Sequence, residues 1–372
     1  MSELDQDLAA IDAVHARRLA EEYRMVRGIA QLVATREGWG GVAPGDMLDH
    51  ARLTLPERPL QFASYHNAVG DQPSELELYF LSKMPPDIEF TADTMHEGAL
   101  RTTASIMCLR DVVRTKRFLQ GITEAVDTLA SQQTGPIEVL EAGTGAIPVM
   151  LLQAALRSER VHATGIELNP RSATMARQLV AALHLEDRVN IIDGDATRYQ
   201  PHTPPHLLIS ETTHSGLSSE PFVQILSNLQ PHVRPGGITL PSRVDILAAI
   251  SSIQTYLKPA AYARLANQPS PVFRADWQRV VRYKPGDDLA RINFTIEPGK
   301  LSPGRYLVLV ASEVEVGTQT LHLGESVITA PRKLRQTTGD DLTFDASDNV
   351  SEIRINYAPG QLLRGVAELI RS

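Results

Sequence analysis

Two glutamates, Glu211 and Glu220, lie nine residues apart in the segment SETTHSGLSSEPF, directly after the apolar run HLLIS. The run reads as a strand. Glu211 then sits at its carboxyl end, where open α/β sheets bind their ligands. Two carboxylates at such a place suit a planar cation. A guanidinium presents a rigid fork of N–H donors that carboxylates grip in bidentate fashion. The bland alternative is a pair of solvated glutamates on a surface loop. His214 stands between them. It is a candidate base, a candidate cation for a substrate carboxylate when charged, or a residue that only shapes the loop.

A second chemical signal lies upstream. The strand-like IEVLE at 137–141 runs into AGTGA, and an apolar helical stretch, PVMLLQAALRS, follows. A glycine turn between strand and helix brings backbone close to a ligand and sets helix N-terminal N–H groups beside it. Gly143 and Gly145 occupy that turn, after Glu141. The next strand, VHATGIE, ends on Glu167, whose carboxylate can accept from both hydroxyls of a ribose. This arrangement fits a dinucleotide cofactor or S-adenosylmethionine.

The elements that must position these residues alternate strand and helix. A helix over about 171–184, the strand RVNIID, the turn GDAT, the strand HLLIS and a helix over about 221–232 predict right-handed crossovers and a parallel sheet. The turn RPGG and the strand ITLPSRVDI close this region. After residue 245 the apolar period moves toward two, in RYLVLVASEVEVG, TQTLHLGESVIT and SEIRINYA. That pattern predicts an antiparallel barrel or sandwich. At the other end, residues 2–37 carry a helical stripe with Ser2 as N-cap, stopped by Gly38, Gly40 and Gly41. A proline-interrupted stretch follows over 39–95, then a second helical stretch from about Glu97 to Ser131. The expected organisation is a helical N-terminal extension over 1–95, a Rossmann-like domain over 96–241 and a β-barrel-like domain over 242–372.

The whole chain of 372 residues has 36 basic and 44 acidic residues, a formal charge of −8. That balance argues against a general nucleic-acid binder, which needs clustered Lys and Arg for phosphates. The single cysteine, Cys108, excludes an internal disulfide and a multi-cysteine zinc site, and reads as a small buried apolar residue. His202 and His206 lack an evident third ligand, so no metal is expected. The N-terminal MSELDQDLAA has neither the positive charge nor the apolar run of a secretory leader. No stretch approaches the ~20 apolar residues of a membrane span. The expectation is a cytoplasmic protein without membrane contact.

Taken in order, EAGTGAIPVM, GIELNP, IIDGDAT and RPGG closely resemble the class I S-adenosylmethionine-dependent methyltransferases, over about 110 residues. The resemblance implies S-adenosylmethionine as cofactor. It sets Glu141, Gly143 and Gly145 against the cofactor, the glycines at its methionine part. It sets Glu167 on the ribose, and Asp195 and Ala196 beside the adenine. Ile147 stands where many members have a third glycine. Within that class, Glu211 and Glu220 resemble the double-glutamate loop of the protein arginine methyltransferases, with the same spacing after the same strand. LRDVVRT resembles the family's segment before the cofactor domain and puts Arg114 on the arginine that binds the methionyl carboxylate. ITLPSRV resembles the strand entering its barrel. TLHL, followed by TGDD, resembles its Thr-His-Trp loop and puts His322 on the histidine, within hydrogen-bonding range of the site or in a barrel contact.

The departures narrow the reading. Thr212, Thr213, His214 and Ser215 replace the family's Trp-Met-Gly-Tyr, Leu323 replaces the tryptophan, and Tyr79–Phe80 is the candidate for the N-terminal Tyr-Phe motif. These positions shape the substrate channel. Some bacterial relatives methylate free L-arginine in natural-product pathways, as in streptozotocin biosynthesis, and an acidic chain with an altered loop resembles those. The implied reaction is methylation of the guanidinium of free L-arginine or a similar small guanidine, in a homodimer built through an arm on the barrel. The rivals are a protein or peptide arginine methyltransferase, a small-molecule N- or O-methyltransferase with another acceptor, and a non-catalytic partner subunit.

Overall fold

Five parallel strands form the central sheet: β1 (Ile137–Ala142), β2 (Val161–Glu167), β3 (Val189–Asp193), β4 (Leu207–Ser210) and β5 (Ile238–Leu240). The computed structural model describes residues 3–54, 73–85, 88, 100–257, 275–334, 341–360 and 366–371. The strand order is β3-β2-β1-β4-β5. It reverses between β1 and β4, and a crevice opens at such a switch point above the carboxyl ends of the strands. Val139, Leu140, Leu207, Leu208 and Ile209 are all buried. A parallel strand covered on both faces reads as a continuous apolar run for this reason.

Helices α1 (Glu3–Arg36), α2 (Pro44–Thr54), α3 (Glu75–Lys83), α4 (Thr102–Met107) and α5 (Val112–Gln132) precede the sheet. The single helix expected over 97–131 is two within the described residues, with a 3-10 turn at Cys108–Arg110 between them. Asp111 is the cause: its side chain caps α5 by accepting from the Arg114 N–H at 3.2 Å, the usual role of a short acid at an N-cap. Ser74 caps α3 in a capping box with Glu77. Buried Glu77 then ties three elements. It accepts from Tyr23 Oη of α1 at 2.9 Å, and from Arg110 Nε at 2.9 Å and Nη2 at 3.1 Å. Residues 1–2, the proposed cap Ser2 among them, and 55–72 and 89–99 lie outside the described residues.

Between the strands run α6 (Val149–Arg157), α7 (Pro170–Ala182) and α8 (Phe222–Leu229). The segment expected as one strand, ITLPSRVDI, breaks at the cis Leu240–Pro241 bond into β5 and β6 (Arg243–Ser252). Strand β6 leaves the parallel sheet and pairs antiparallel with β9 (Arg305–Val316) and β7 (Gln278–Tyr283). Strands β10 (Gln319–Leu321), β11 (Arg332–Lys333) and β12 (Thr343–Asp345) add to β9. A second antiparallel sheet is β14 (Val366–Arg371), β13 (Val350–Tyr357) and β8 (Ile292–Ile296). Of TQTLHLGESVIT, only Gln319–Leu321 is strand, because the chain turns at His322, whose carbonyl accepts from Glu325 N–H at 3.0 Å. One buried apolar cluster runs through the parallel sheet and the antiparallel part alike. No helix among the described residues is long and apolar enough to cross a membrane.

Candidate active site

Above the β1/β4 switch point lies a cavity of about 310 Å³. Glu141, Gly143, Gly145, Glu167, Asp195, Ala196, Arg114, Glu211 and Glu220 all line it. The parallel sheet explains why most of these residues meet there: all but Arg114, which comes from the first turn of α5, follow or end a strand whose carboxyl edge points the same way.

The glycine turn is held from the next strand. Gly145 N–H donates to Glu167 Oε2 at 2.8 Å, and Asn169 N–H donates to Oε1 at 2.8 Å. Gly143 takes φ +79° and Gly145 φ +66°, a region that costs a side-chain-bearing residue about 1–2 kcal/mol. Space excludes a side chain at Gly143 as well, since a Cβ would stand 2.4 Å from Thr212 Cγ2. The first turn therefore presents bare backbone to the cavity. Burial raises the Glu167 carboxyl, opposed by the Asn169 and Gly145 N–H groups. Glu141 is more deeply enclosed. Among the described residues its Oε2 has no hydrogen-bond partner, and burial pushes its pKa up to about 8. Asp195 caps the turn after β3, accepting from Thr197 N–H at 2.8 Å and Thr197 Oγ1 at 2.7 Å, with Ala196 buried beside it.

The paired glutamates form the other half of the cavity. Glu211 Oε2 is 3.0 Å from Arg114 Nη1, and Glu211 Oε1 is buried without a hydrogen-bond partner among the described residues. Burial raises Glu211 to about 7, against the opposing Arg114 charge. Glu220 is raised to about 8 by burial and by the charge of Glu211. Two acids with raised pKa values in one enclosure, with an unsatisfied carboxylate oxygen, make a receptor for a cation that donates several hydrogen bonds.

The loop carrying them is clamped to the antiparallel sheets. Ser215 Oγ donates to the Ala330 carbonyl at 2.6 Å, Gly216 N–H to Ser312 Oγ at 2.8 Å, and Tyr357 Oη to the Gly216 carbonyl at 2.7 Å. Gly360 N–H donates to the Leu217 carbonyl at 2.9 Å, and Gly360 itself lines the cavity. Sequence reasoning missed Gly360, Ser105 and Thr197 among the lining residues. For Gly360 the APG after SEIRINY marks a turn, but nothing local says where that turn docks.

The two histidines stand apart from the cavity lining. His214 Nδ1 lies 2.6 Å from Ser218 Oγ. Burial, helped by the nearby Arg332 charge, lowers His214 to about 3, so it is neutral at pH 7. His322 is exposed and its Nδ1 lies 3.3 Å from Glu313 Oε1. In the same segment, Ser326 Oγ donates to Asp111 Oδ2 at 2.7 Å, and Val327 N–H donates to the same oxygen at 2.9 Å. Tyr79 and Phe80 are buried in α3, with Tyr79 Oη donating to the Val42 carbonyl at 2.8 Å. No residue of 3–88 described in the structure lines the cavity. His206 Nδ1 accepts from Glu138 N–H at 2.9 Å, a structural tie between β1 and the start of β4.

No family model matches the chain. A curated relative, the arginine N(omega)-methyltransferase of Streptomyces achromogenes subsp. streptozoticus, is 26% identical over 199 residues. The match covers 52% of this chain and 52% of the relative, so the chain spans about half the length of the protein it matches. Among solved structures, the Trypanosoma brucei PRMT1 enzyme-prozyme heterotetrameric complex with AdoHcy is 16% identical, with a TM-score of 0.45 over 67% of this chain and 85% of that one. The Arabidopsis thaliana protein arginine methyltransferase 10 is 15% identical, with a TM-score of 0.47 over 68% and 86%.

Proposed function

We propose that the protein is an S-adenosylmethionine-dependent N-methyltransferase acting on the guanidinium of free L-arginine or a similar small guanidine. The observation that carries this reading is the shared cavity: Glu211 and Glu220 face the same enclosed space as the glycine turn and Glu167. The name of the Streptomyces relative supports the arginine class. The polar Thr212–Ser215 loop favours a small acceptor over a protein substrate.

The chain's residues fit the cofactor. The bare turn at Gly143 and Gly145 leaves room for a close backbone approach, and Glu167 stands at the end of β2 as acceptor for hydroxyls. Glu141 has a buried oxygen in want of a donor. Arg114 would meet a carboxylate and Ala196 an adenine face. The bound cofactor supplies a methyl group activated by a sulfonium.

Glu211 and Glu220 do the remaining work on the acceptor. A guanidinium is protonated at neutral pH and is a poor nucleophile. Two carboxylates on some of its nitrogens draw the positive charge there and leave lone-pair character on the reacting one. They also stabilise the charge that builds on the acceptor as the new bond forms. Their raised pKa values suit one of them to receive the released proton near neutral pH. Holding the nitrogen in line supplies ~7–11 kcal/mol of the barrier reduction.

Mass spectrometry tests the reading. The pure protein is incubated with S-adenosylmethionine and either L-arginine, an arginine-rich peptide or a metabolite extract. One added methyl mass on L-arginine alone is the expected result. Methylation of the peptide instead moves the reading to protein arginine. A product found only in the extract removes the guanidine assignment. The resemblance also favours a homodimer, which light scattering on the pure protein checks.

A further inference from the structure

Helix α1 keeps one side on the fold and leaves another open. Leu19, Ala20, Tyr23, Val26 and Ala30 are buried, and they recur along one side of the helix. A second apolar row lies on a different side. Met25 is 63% exposed, Ile29 43% and Leu32 74%. Among the described residues, the one other large apolar side chain so exposed is Leu100, which lines the cavity. An exposed apolar row among charges marks a surface that takes a protein partner.

The pattern of α1 selects a second copy of itself. Followed back from Leu32 in alternate steps of three and four residues, the row passes Ile29, Met25, Glu22, Arg18, His15, Ile11 and Leu8. These are the two core positions of a heptad repeat, and their spacing reads the same from either end. Reversed on itself, the row sets Leu8 opposite Leu32, Ile11 opposite Ile29, His15 opposite Met25 and Arg18 opposite Glu22. Charge follows the same order. Residues 3–16 hold Glu3, Asp5, Asp7 and Asp12 and neither Lys nor Arg, whereas residues 17–36 hold five arginines against Glu21 and Glu22. A parallel pair of helices would set like halves together. An antiparallel pair sets the acidic half of each on the basic half of the other. Arg18 is exposed, and Glu22 keeps 35% of its side chain exposed beside Arg110.

We propose that α1 is an interface between two copies of this chain, paired antiparallel about a two-fold axis between Arg18 and Glu22. The row is its own complement, which a closed two-fold dimer needs. The paired stretch from Leu8 to Leu32 runs about 36 Å. It uses no residue of the cavity lining. The interface is therefore separate from the reaction chemistry and from any contact through the antiparallel sheets.

Light scattering on the full chain is expected to give twice the chain mass. Ile29→Glu/Leu32→Glu is expected to halve that mass with the circular dichroism unchanged. Cross-linking reads the direction. Positions 8 and 32 of one helix are about 36 Å apart, so Leu8→Cys/Leu32→Cys can link only between chains. Oxidised, this variant should run as a covalent dimer on a non-reducing gel, and Leu32→Cys alone should stay at the single-chain position. A wild type of single-chain mass overturns the proposal. So does a glutamate variant that remains dimeric, which puts the interface elsewhere, or linking by Leu32→Cys alone, which makes the pairing parallel. If the glutamate variant loses helix, the cysteine pair decides.

Discussion

Arg114, in the first turn of α5, and Glu211, at the end of β4, form an ion pair of 3.0 Å across the cavity. The pair joins the part of the site that resembles a cofactor cradle to the part that would hold the acceptor. Arg114 is buried, and Asp111, one helical turn back, holds its backbone N–H. Removing one partner of a buried pair leaves the other charge uncompensated, at a cost of about 3–5 kcal/mol. Arg114→Met is expected to lower thermal stability and to raise Glu211 further, shifting the rising limb of the pH–rate curve to higher pH. Melting curves and a pH profile check both parts. An unmoved profile would mean that Arg114 does not set the state of Glu211.

Glu211→Gln and Glu220→Gln should each lose about 100-fold or more in turnover, the usual cost of removing one electrostatic stabiliser. Calorimetry should find cofactor affinity retained in both. Near-normal turnover in the two variants, with cofactor still bound, would remove the clamp.

The raised pKa values of the pair, about 7 and about 8, carry a pH signature. Only the ionised carboxylates hold a guanidinium. The value of kcat/KM for L-arginine should therefore climb between about pH 6 and pH 8 and then level off. Binding of the cation at pH 7 should release protons, seen as a dependence of the calorimetric heat on the buffer's ionisation enthalpy. The stability of the empty protein should run the other way. A carboxyl whose folded pKa is raised stabilises the fold at low pH, and that contribution is lost as pH rises through the folded value. Glu141, at about 8, adds to this. The midpoint of thermal unfolding without ligand should fall from pH 5 to pH 8, and less steeply in Glu141→Gln.

Glu167→Ala is expected to weaken cofactor binding beyond the loss of a hydroxyl acceptor, because Glu167 also fixes the N–H groups of Gly145 and Asn169. Glu167→Gln keeps one acceptor oxygen for the turn and should lose less. Equal affinities of wild type and Glu167→Ala by calorimetry would put the cofactor elsewhere.

Away from the cavity lining, Glu77→Ala removes the close partner of the buried Arg110 guanidinium, leaving it only Glu22 at 3.7 Å and Tyr23. Urea unfolding should report a loss of about 3–5 kcal/mol. A loss below 1 kcal/mol would show that α1 and α3 contribute little to holding the start of α5.

What the sequence made legible follows the range of the interactions involved. Gly143, Glu167 and Glu211 are readable because each sits at a strand end, and a strand end in a parallel sheet has a defined neighbourhood. The first four strands came out of apolar runs for the same reason. The break at Asp111 was hidden because a capping side chain differs little from any helical acid in a string of letters. The turn at His322–Glu325 leads into a contact of Ser326 with Asp111 that the neighbours of His322 in sequence do not announce. Arg332 has no local mark, and the turn marked at Gly360 carries no sign of where it docks. Their positions are consequences of antiparallel pairing between segments of widely separated number, which a single chain read in order does not display.

The loop between Glu211 and Glu220 is held at Ser215, Gly216 and Leu217 by Ala330, Ser312, Tyr357 and Gly360, all in or beside the antiparallel sheets. An opening of the antiparallel part that leaves the five parallel strands intact would thus disarm the protein before it denatures it. The geometry of the candidate site is thus held in part by the C-terminal third, through Ser312, Ala330, Tyr357 and Gly360.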